Sequence, residues 1–330
     1  MRLSLKKFNT FGIEAFARNI LFLKELKQLE TIPHLKDCLF IGGGSNILLT
    51  KDIEKTVIIN QTRGICTVSE DDDTIELAVA SGENWHELVL YCIHKGYGGI
   101  ENMSLIPGSV GAAPMQNIGA YGCEIKDVLT YVKAIHLDTL EMVQFSNKEC
   151  EFGYRESIFK TSAKHQYFIT DIGIKLTKKN HSTHTRYGDI EDWLTARHIQ
   201  KPTIEDISNA VISIRESKLP NPAILGNSGS FFKNPIISTT QFESLMTKFP
   251  TLKSYKIDDQ KVKIPAGWLI ESLGWKGKRI GNTGSHKNQA LVLVNYGNAS
   301  GNEVYQLSED IKKSVWETYG IILETEVNII

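Results

Sequence analysis

Ile106–Gly122, IPGSVGAAPMQNIGAYG, constrains this chain more than any other stretch. It holds four glycines, three alanines and two prolines and no charged residue, in a protein with 23% charged residues. Gly108, Gly111, Gly119 and Gly122 let the backbone turn sharply or approach a ligand closely, while Ala112, Ala113 and Ala120 keep side chains small. Pro107 and Pro114 stiffen the path, and Ser109, Gln116 and Asn117 are its strong side-chain hydrogen-bonding groups. A segment of this kind offers a row of N–H groups to phosphates or to the edge of a planar ring. A tight loop packed under a sheet has the same composition, so both readings stay open.

A chain of 330 residues exceeds one small core, which predicts two or three domains. A net charge of −1 gives no basic face and argues against a nucleic-acid partner. The N-terminus has no continuous apolar run, and no stretch is long enough to span a bilayer, so a cytoplasmic protein without membrane insertion is expected. Cys38, Cys66, Cys92, Cys123 and Cys150 are scattered without a CxxC pair, which reads as reduced and mostly buried thiols. His181 and His184 lie in the polar loop 178–189 without a third ligand nearby, so no metal site is expected.

Read in order, Asn9–Gly12 is a turn, and Phe16–Leu29 has apolar residues at Ile20, Leu23 and Leu26 that predict a helix. Cys38–Ile41 reads as a strand entering Gly42–Gly43–Gly44–Ser45–Asn46. The Rossmann fingerprint fails there, because its third glycine is replaced by Ile47 and no long helix follows. Either a glycine turn joins two strands, or phosphate is bound in some other fold. Residues 56–80 read as strands, Glu83–Lys95 as a helix burying Trp85, Leu88, Val89 and Cys92, and 128–145 as a hairpin. Thr203–Lys218 is a helix with an N-cap at Thr203, and Leu219–Pro222 reads as a domain boundary. A last helix runs from Ser300 to Tyr319, with Ser300 and Glu303 spaced as a capping box. In the terminal IILETEVNII, period two places Glu324 and Glu326 on one face of a strand, either solvated or aimed into a cleft.

A second unusual cluster is GNSGSFFKNP, residues 226–235. Ser230 follows a glycine and precedes two aromatics, yet the nucleophile-elbow pattern is broken and no histidine lies nearby in sequence. Such a serine is a poor nucleophile but can relay a proton; a purely structural serine is the plainer alternative.

Together GGGSN at 42–46, the loop at 106–122 and the cluster at 226–235 resemble the UDP-N-acetylenolpyruvoylglucosamine reductase family. FGYRESIFK, RESKLPNP, HKNQALVLVN and LETEV extend the resemblance from Asn9 to Glu326. Tyr187 in its polar loop is similar to the type I branch. Ala112–Ala113 sit where some relatives carry hydroxyl residues, and the chain ends four residues after Glu326, sooner than in some relatives.

The resemblance implies an α+β chain with the FAD-binding fold of the vanillyl-alcohol oxidase type. Two α+β subdomains, 1–66 and 67–218, would hold a non-covalent FAD, a third α+β domain at 219–319 would cover the substrate, and 320–330 would return to the active site. It implies cofactor contacts from Gly42, Gly43, Gly44, Ser45, Asn46, Pro107, Gly108, Ser109, Gly111, Ala112, Ala113, Asn117, Gly119, Ala120, Gly122 and Arg215. The implied reaction is hydride transfer from NADPH to FAD, then to the vinyl carbon of UDP-N-acetylglucosamine-enolpyruvate, giving UDP-N-acetylmuramate for peptidoglycan. In that scheme Arg155 stabilises the charge developing at the substrate carboxylate, and Glu326 acts at the same site with a raised pKa. Ser230 is the implied proton donor to the carbanion. Tyr187, Lys218, Asn234 and Gln289 match positions for diphosphate, uridine or nicotinamide. A monomer is expected. An FAD oxidase of another sugar or alcohol and a nucleotide-binding module without turnover are the rival readings.

Overall fold

The computed structural model describes residues 2–330, which divide into two compact units by internal contacts. The first takes Ala17–Gly43 and Glu54–Glu216 with the short lead-in that ends at Leu3. The second is assembled from Ser4–Phe16, Gly44–Ile53 and Ser217–Ile330.

In the first unit, one sheet sets Ile53–Asn60 between Phe16–Leu23 and Leu39–Ile41, the last pairing in parallel from Leu39 opposite Val57. Phe16–Leu23 is thus a strand followed by a 3₁₀ turn at Leu26–Thr31, not the helix that its apolar spacing predicts. The spacing of Ile20, Leu23 and Leu26 satisfies a helical period, but pairing with Ile53–Asn60 buries Ala17 and Leu23 and overrides it. The second sheet is antiparallel, in the order Met142–Ser146, Leu129–His136, Tyr167–Thr177, Thr74–Ala80, Ile65–Glu70. Its alternating apolar positions pack with helix α1 (Trp85–His94), which buries Trp85, Leu88, Val89 and Cys92 as predicted. Asn84 caps α1 by accepting from the Glu87 N–H. The short α2 (Ile190–Thr195) packs with α3 (Ile204–Lys218), whose Thr203 and Asp206 exchange the hydrogen bonds of an N-terminal cap.

The second unit carries a sheet ordered Gly226–Ser230, Val292–Asn295, Thr283–Ser285, Arg279–Ile280, and a smaller one of Ile236–Ser238, Lys261–Lys263 and Tyr255–Lys256. Its helices are α4 (Thr239–Lys248), α5 (Ala266–Ser272) and α6 (Gly301–Tyr319). Ser300 and Glu303 form the predicted capping box of α6, and Gly320 ends it in the left-handed region. The terminal segment is not a continuous strand. Its alternation survives as burial of Ile321, Leu323 and Val327, but ladder pairing is confined to Asn328–Ile329 beside Ile47–Leu48 and a bridge from Thr325 to Phe232.

Cys92, Cys123 and Cys150 are buried thiols whose pKa burial pushes up to about 12, while Cys38 is half-buried and Cys66 exposed. Among the described residues no helix is long and apolar enough to cross a membrane.

Candidate active site

The loop Ile106–Gly122 is clamped from one side by residues 81–85. Trp85 N–H donates to Gly108 O at 3.0 Å, Val110 N–H to Glu83 O at 2.8 Å and Gly111 N–H to Ser81 O at 2.8 Å. Two 3₁₀ turns follow, Val110–Ala112 and Pro114–Gln116. Gly43 lies against this loop so closely that a methyl on it would stand 2.9 Å from Gly108 Cα. These two glycine-rich stretches form one cradle of bare main chain.

Of the predicted cofactor contacts, Ala113 is 1% exposed and Asn117 0%. The Asn117 Nδ2 donates to Glu124 Oε2 at 2.9 Å and Gly153 O at 3.0 Å, and its Oδ1 accepts from Lys126 N–H at 3.2 Å. Gly42, Gly108, Gly111, Gly119 and Ala120 are half-buried, Pro107, Ala112 and Gly122 exposed, and Ser109 buried.

Arg155 stands in the two-residue turn closed by the bridge between Gly153 and Glu156, at a φ of 55° that favours glycine. Its guanidinium donates to Gly119 O at 2.7 Å and to Asn117 O at 3.3 Å. Arg215, near the end of α3, has a buried Nε with no hydrogen-bond partner among the described residues. Burial lowers its pKa, Tyr121 opposes that shift, and the like charge of Arg155 adds to it. A buried guanidinium nitrogen, a second arginine near it and a bare main-chain cradle are the donor set that an anionic dinucleotide needs, so the residues fit FAD. Tyr187, 56% exposed, lies over Gly122, while the Tyr121 ring lies over Gly188. Asn102 ties these two stretches by donating to Tyr121 O and His184 O.

In the second unit, Gly44 (φ 61°) packs on Phe8 and Asn9, and Asn46 Nδ2 donates to Glu326 O at 3.2 Å. Ser45 and Asn46 are half-buried. The buried Asn227 accepts from Gly229 N–H at 2.9 Å, and the pairing with Val292–Asn295 slips between Asn227 and Ser230. The residues of this bulge are Ser228 and Gly229, after which Ser230 rejoins the ladder opposite Val292. The terminal segment runs antiparallel beside the next residues: Glu326 N–H donates to Phe231 O and Lys233 N–H to Glu324 O. Ser230 and Glu326 therefore sit on adjoining segments. The two carboxylates that shared one predicted face are distinguished, since Glu324 is paired with Lys233 at 3.0 Å and largely exposed whereas Glu326 is half-buried. Asn234 Oδ1 accepts the first N–H of α5, from Ala266, and Gln289 is half-buried near Gly267. Lys218 is the half-buried last residue of α3.

Sequence reasoning missed His86 and Asn102. His86 Nδ1 accepts from Leu105 N–H at 3.0 Å and fixes the entrance of the glycine-rich loop. Burial holds this imidazole below its ordinary pKa, with Glu87 and Glu216 opposing and Arg215 assisting. His86 lies in the predicted helix but off its apolar positions, and Asn102 lies outside any patterned segment, so no local signal pointed to either.

Residues 221–330 match the family model described as UDP-N-acetylenolpyruvoylglucosamine reductase, C-terminal domain, and 34–143 match an FAD binding domain. A UDP-N-acetylenolpyruvoylglucosamine reductase of Flavobacterium johnsoniae is 54% identical, covering 99% of this chain and 98% of that protein. Its counterpart from Amoebophilus asiaticus is 48% identical over 99% of this chain and 97% of its own length. The crystal structure of the Thermus caldophilus reductase covers 100% of this chain and 98% of that one, with TM-score 0.69 at 22% identity. The expected α+β FAD-binding fold therefore holds.

Proposed function

The chain belongs to the UDP-N-acetylenolpyruvoylglucosamine reductase family, and we propose that NADPH is its electron donor and UDP-N-acetylglucosamine-enolpyruvate its acceptor. It is an FAD-dependent oxidoreductase. Reduction of the enolpyruvyl double bond gives UDP-N-acetylmuramate, a peptidoglycan precursor made in the cytoplasm. The observation that supports this reading best is the pairing of the terminal segment with residues 231–233, which brings the segment of Glu326 alongside the one that follows Ser230.

Each residue has one task in it. The main chain of Gly42–Gly44 and of the 106–122 loop, together with Ser45, Asn46 and Arg215, is the set of groups proposed to hold the FAD. Bound FAD supplies the hydride relay between donor and acceptor. Arg155 grips the substrate carboxylate and stabilises the charge that develops there, and Glu326 hydrogen-bonds the same group. Ser230 Oγ delivers the proton to the carbon beside that carboxylate. Tyr187, Lys218, Asn234 and Gln289 bind the diphosphate, the uridine or the nicotinamide. The assignment of 1–66 and 67–218 to FAD, 219–319 to the sugar nucleotide and 320–330 to the returning segment is one of function, since Ser4–Phe16 and Gly44–Ile53 pack with the later unit.

The test is an absorption spectrum of the purified protein, then anaerobic NADPH, then the enolpyruvyl sugar nucleotide. A flavin spectrum that bleaches with NADPH and recovers with the sugar nucleotide is expected. Recovery with dioxygen but not with the sugar nucleotide would make the chain an oxidase. A protein that stays colourless with added FAD would leave only a binding module.

A further inference from the structure

We propose that Asn117 is a positioning residue for Arg155, which makes substrate-carboxylate recognition depend on a side chain that never reaches the substrate. The inference rests on the reading of Arg155 given above.

Arg155 is held in a conformation it would not choose. Its φ of 55° lies in the left-handed region, where a side chain with a Cβ is strained, so the surroundings must hold the turn in place. Asn117 acts on that turn at both ends. Through its side chain, Nδ2 holds Gly153 O at 3.0 Å, the residue that opens the turn. Through its main chain, its carbonyl accepts from the Arg155 guanidinium at 3.3 Å, next to Gly119 O at 2.7 Å. The path from Asn117 Nδ2 through Gly153, the turn and the guanidinium returns to Asn117 O. It is a closed ring of contacts through one residue.

Asn117 is itself fixed independently of any ligand. It is fully buried, its Oδ1 accepts from Lys126 N–H at 3.2 Å, and its second Nδ2 bond goes to Glu124, which is paired with Lys126 at 2.8 Å. Its own φ is 46°, and asparagine tolerates the left-handed region better than most residues with a side chain. Ser157 Oγ, bonded to Met115 O at 2.7 Å, ties the far side of the same turn to the same loop. The Asn117 and Gly119 acceptors of the guanidinium are carbonyls, which orient it through partial charges. A planar fork aimed in this way is suited to a carboxylate.

The test compares equilibrium binding of UDP-N-acetylmuramate, which bears the carboxylate, with that of UDP-N-acetylglucosamine, which lacks it, by titration calorimetry on the FAD-loaded protein. Asn117→Gly is the informative variant, because it keeps the left-handed backbone and removes only the amide; Asn117→Ala is made beside it. Arg155→Ala and the double variant Asn117→Gly/Arg155→Ala complete the cycle. We expect Asn117→Gly to weaken the carboxylate ligand about tenfold and UDP-N-acetylglucosamine less than about twofold. The double variant should be no weaker than Arg155→Ala, because two residues acting through one contact do not add. Losses that multiply in the double variant would overturn the proposal. Equal weakening of both ligands, or an Asn117→Gly protein that retains no flavin or does not fold, would make Asn117 a general framework residue and overturn it as well. If Arg155→Ala itself keeps its preference for the carboxylate ligand, the reading of Arg155 fails rather than the link to Asn117.

Discussion

Along Ile106–Gly122 the groups we propose to hold a ligand are main-chain atoms, whereas the roles proposed for Ser230 and Glu326 rest on single side-chain oxygens. The first region works by absence. Gly43 and Gly108 meet at a distance that leaves no room for a methyl, and Gly111 stands equally close to Ser81. The second works by placement, through a bulge after Asn227 and a terminal segment laid beside Phe231. A site built from main chain cannot be deleted by one substitution, only overfilled, so damage there should appear in stability and cofactor retention. A site built from side chains can be emptied with the fold intact, and damage should appear in one chemical step.

That contrast can be broken by experiment, most sharply at Ser230. Ser230→Ala is expected to keep its flavin and its reduction by NADPH near normal while sugar-nucleotide reduction falls on the order of 10²–10³ in rate. Stopped-flow measurement of the two half-reactions checks this, and equal loss in both would falsify the proton-donor role. Gly43→Ala should do the opposite. Its methyl would meet Gly108 Cα at 2.9 Å, and overfilling of this kind costs about 1–3 kcal/mol. Lower flavin content and a lower Tm are expected, with the ratio of the two half-reaction rates unchanged in whatever protein retains FAD.

His86 offers a gentler probe of the loop. Burial lowers its folded pKa, so the unfolded chain takes up a proton first as the medium becomes acidic. Stability tied to this residue is therefore intact above the ordinary imidazole value of about 6.5 and is lost as pH falls below it, until the depressed folded value is reached. Protonation also removes the acceptor for Leu105 N–H. Thermal melts at pH 7 and pH 5 should show a smaller acid-induced drop for His86→Gln than for the parent chain. The smallest effect is expected far from both regions. Ser300→Ala removes half of the α6 capping box and should cost about 1 kcal/mol of stability without altering either half-reaction.

The same difference decides how much could be read from the amino acids. The glycine-rich loop was legible because only glycine and alanine tolerate such close approach, and that demand shows in composition. Helices α1, α3 and α6 were legible through local signals, namely apolar spacing and caps at Thr203 and Ser300. Phe16–Leu23 was misread because its state is set by partners at Ile53–Asn60, which no local window contains. Arg155 stood out only by resemblance, while Ser230 and Glu326 were local candidates whose roles came from it. Nothing local separates Glu326 from Glu324, and it is the ion pair with Lys233 that tells them apart. Asn117 was legible only in part. Its place in the loop was visible, but its burial under Gly153 and Glu124 was not.

The pairing of residues 328–330 with 46–50 bears on how this protein folds. Asn328 N–H reaches Asn46 O at 3.1 Å, Ile330 N–H reaches Leu48 O at 2.9 Å, and Thr50 N–H returns to Ile330 O at 2.7 Å. The segment after the glycine turn is thus joined to one 280 residues away in sequence. Leu48 and Leu49 are both buried in the finished molecule. A contact of such long range rewards the chain only after a large loop has closed, which makes this part of the second unit slow to assemble.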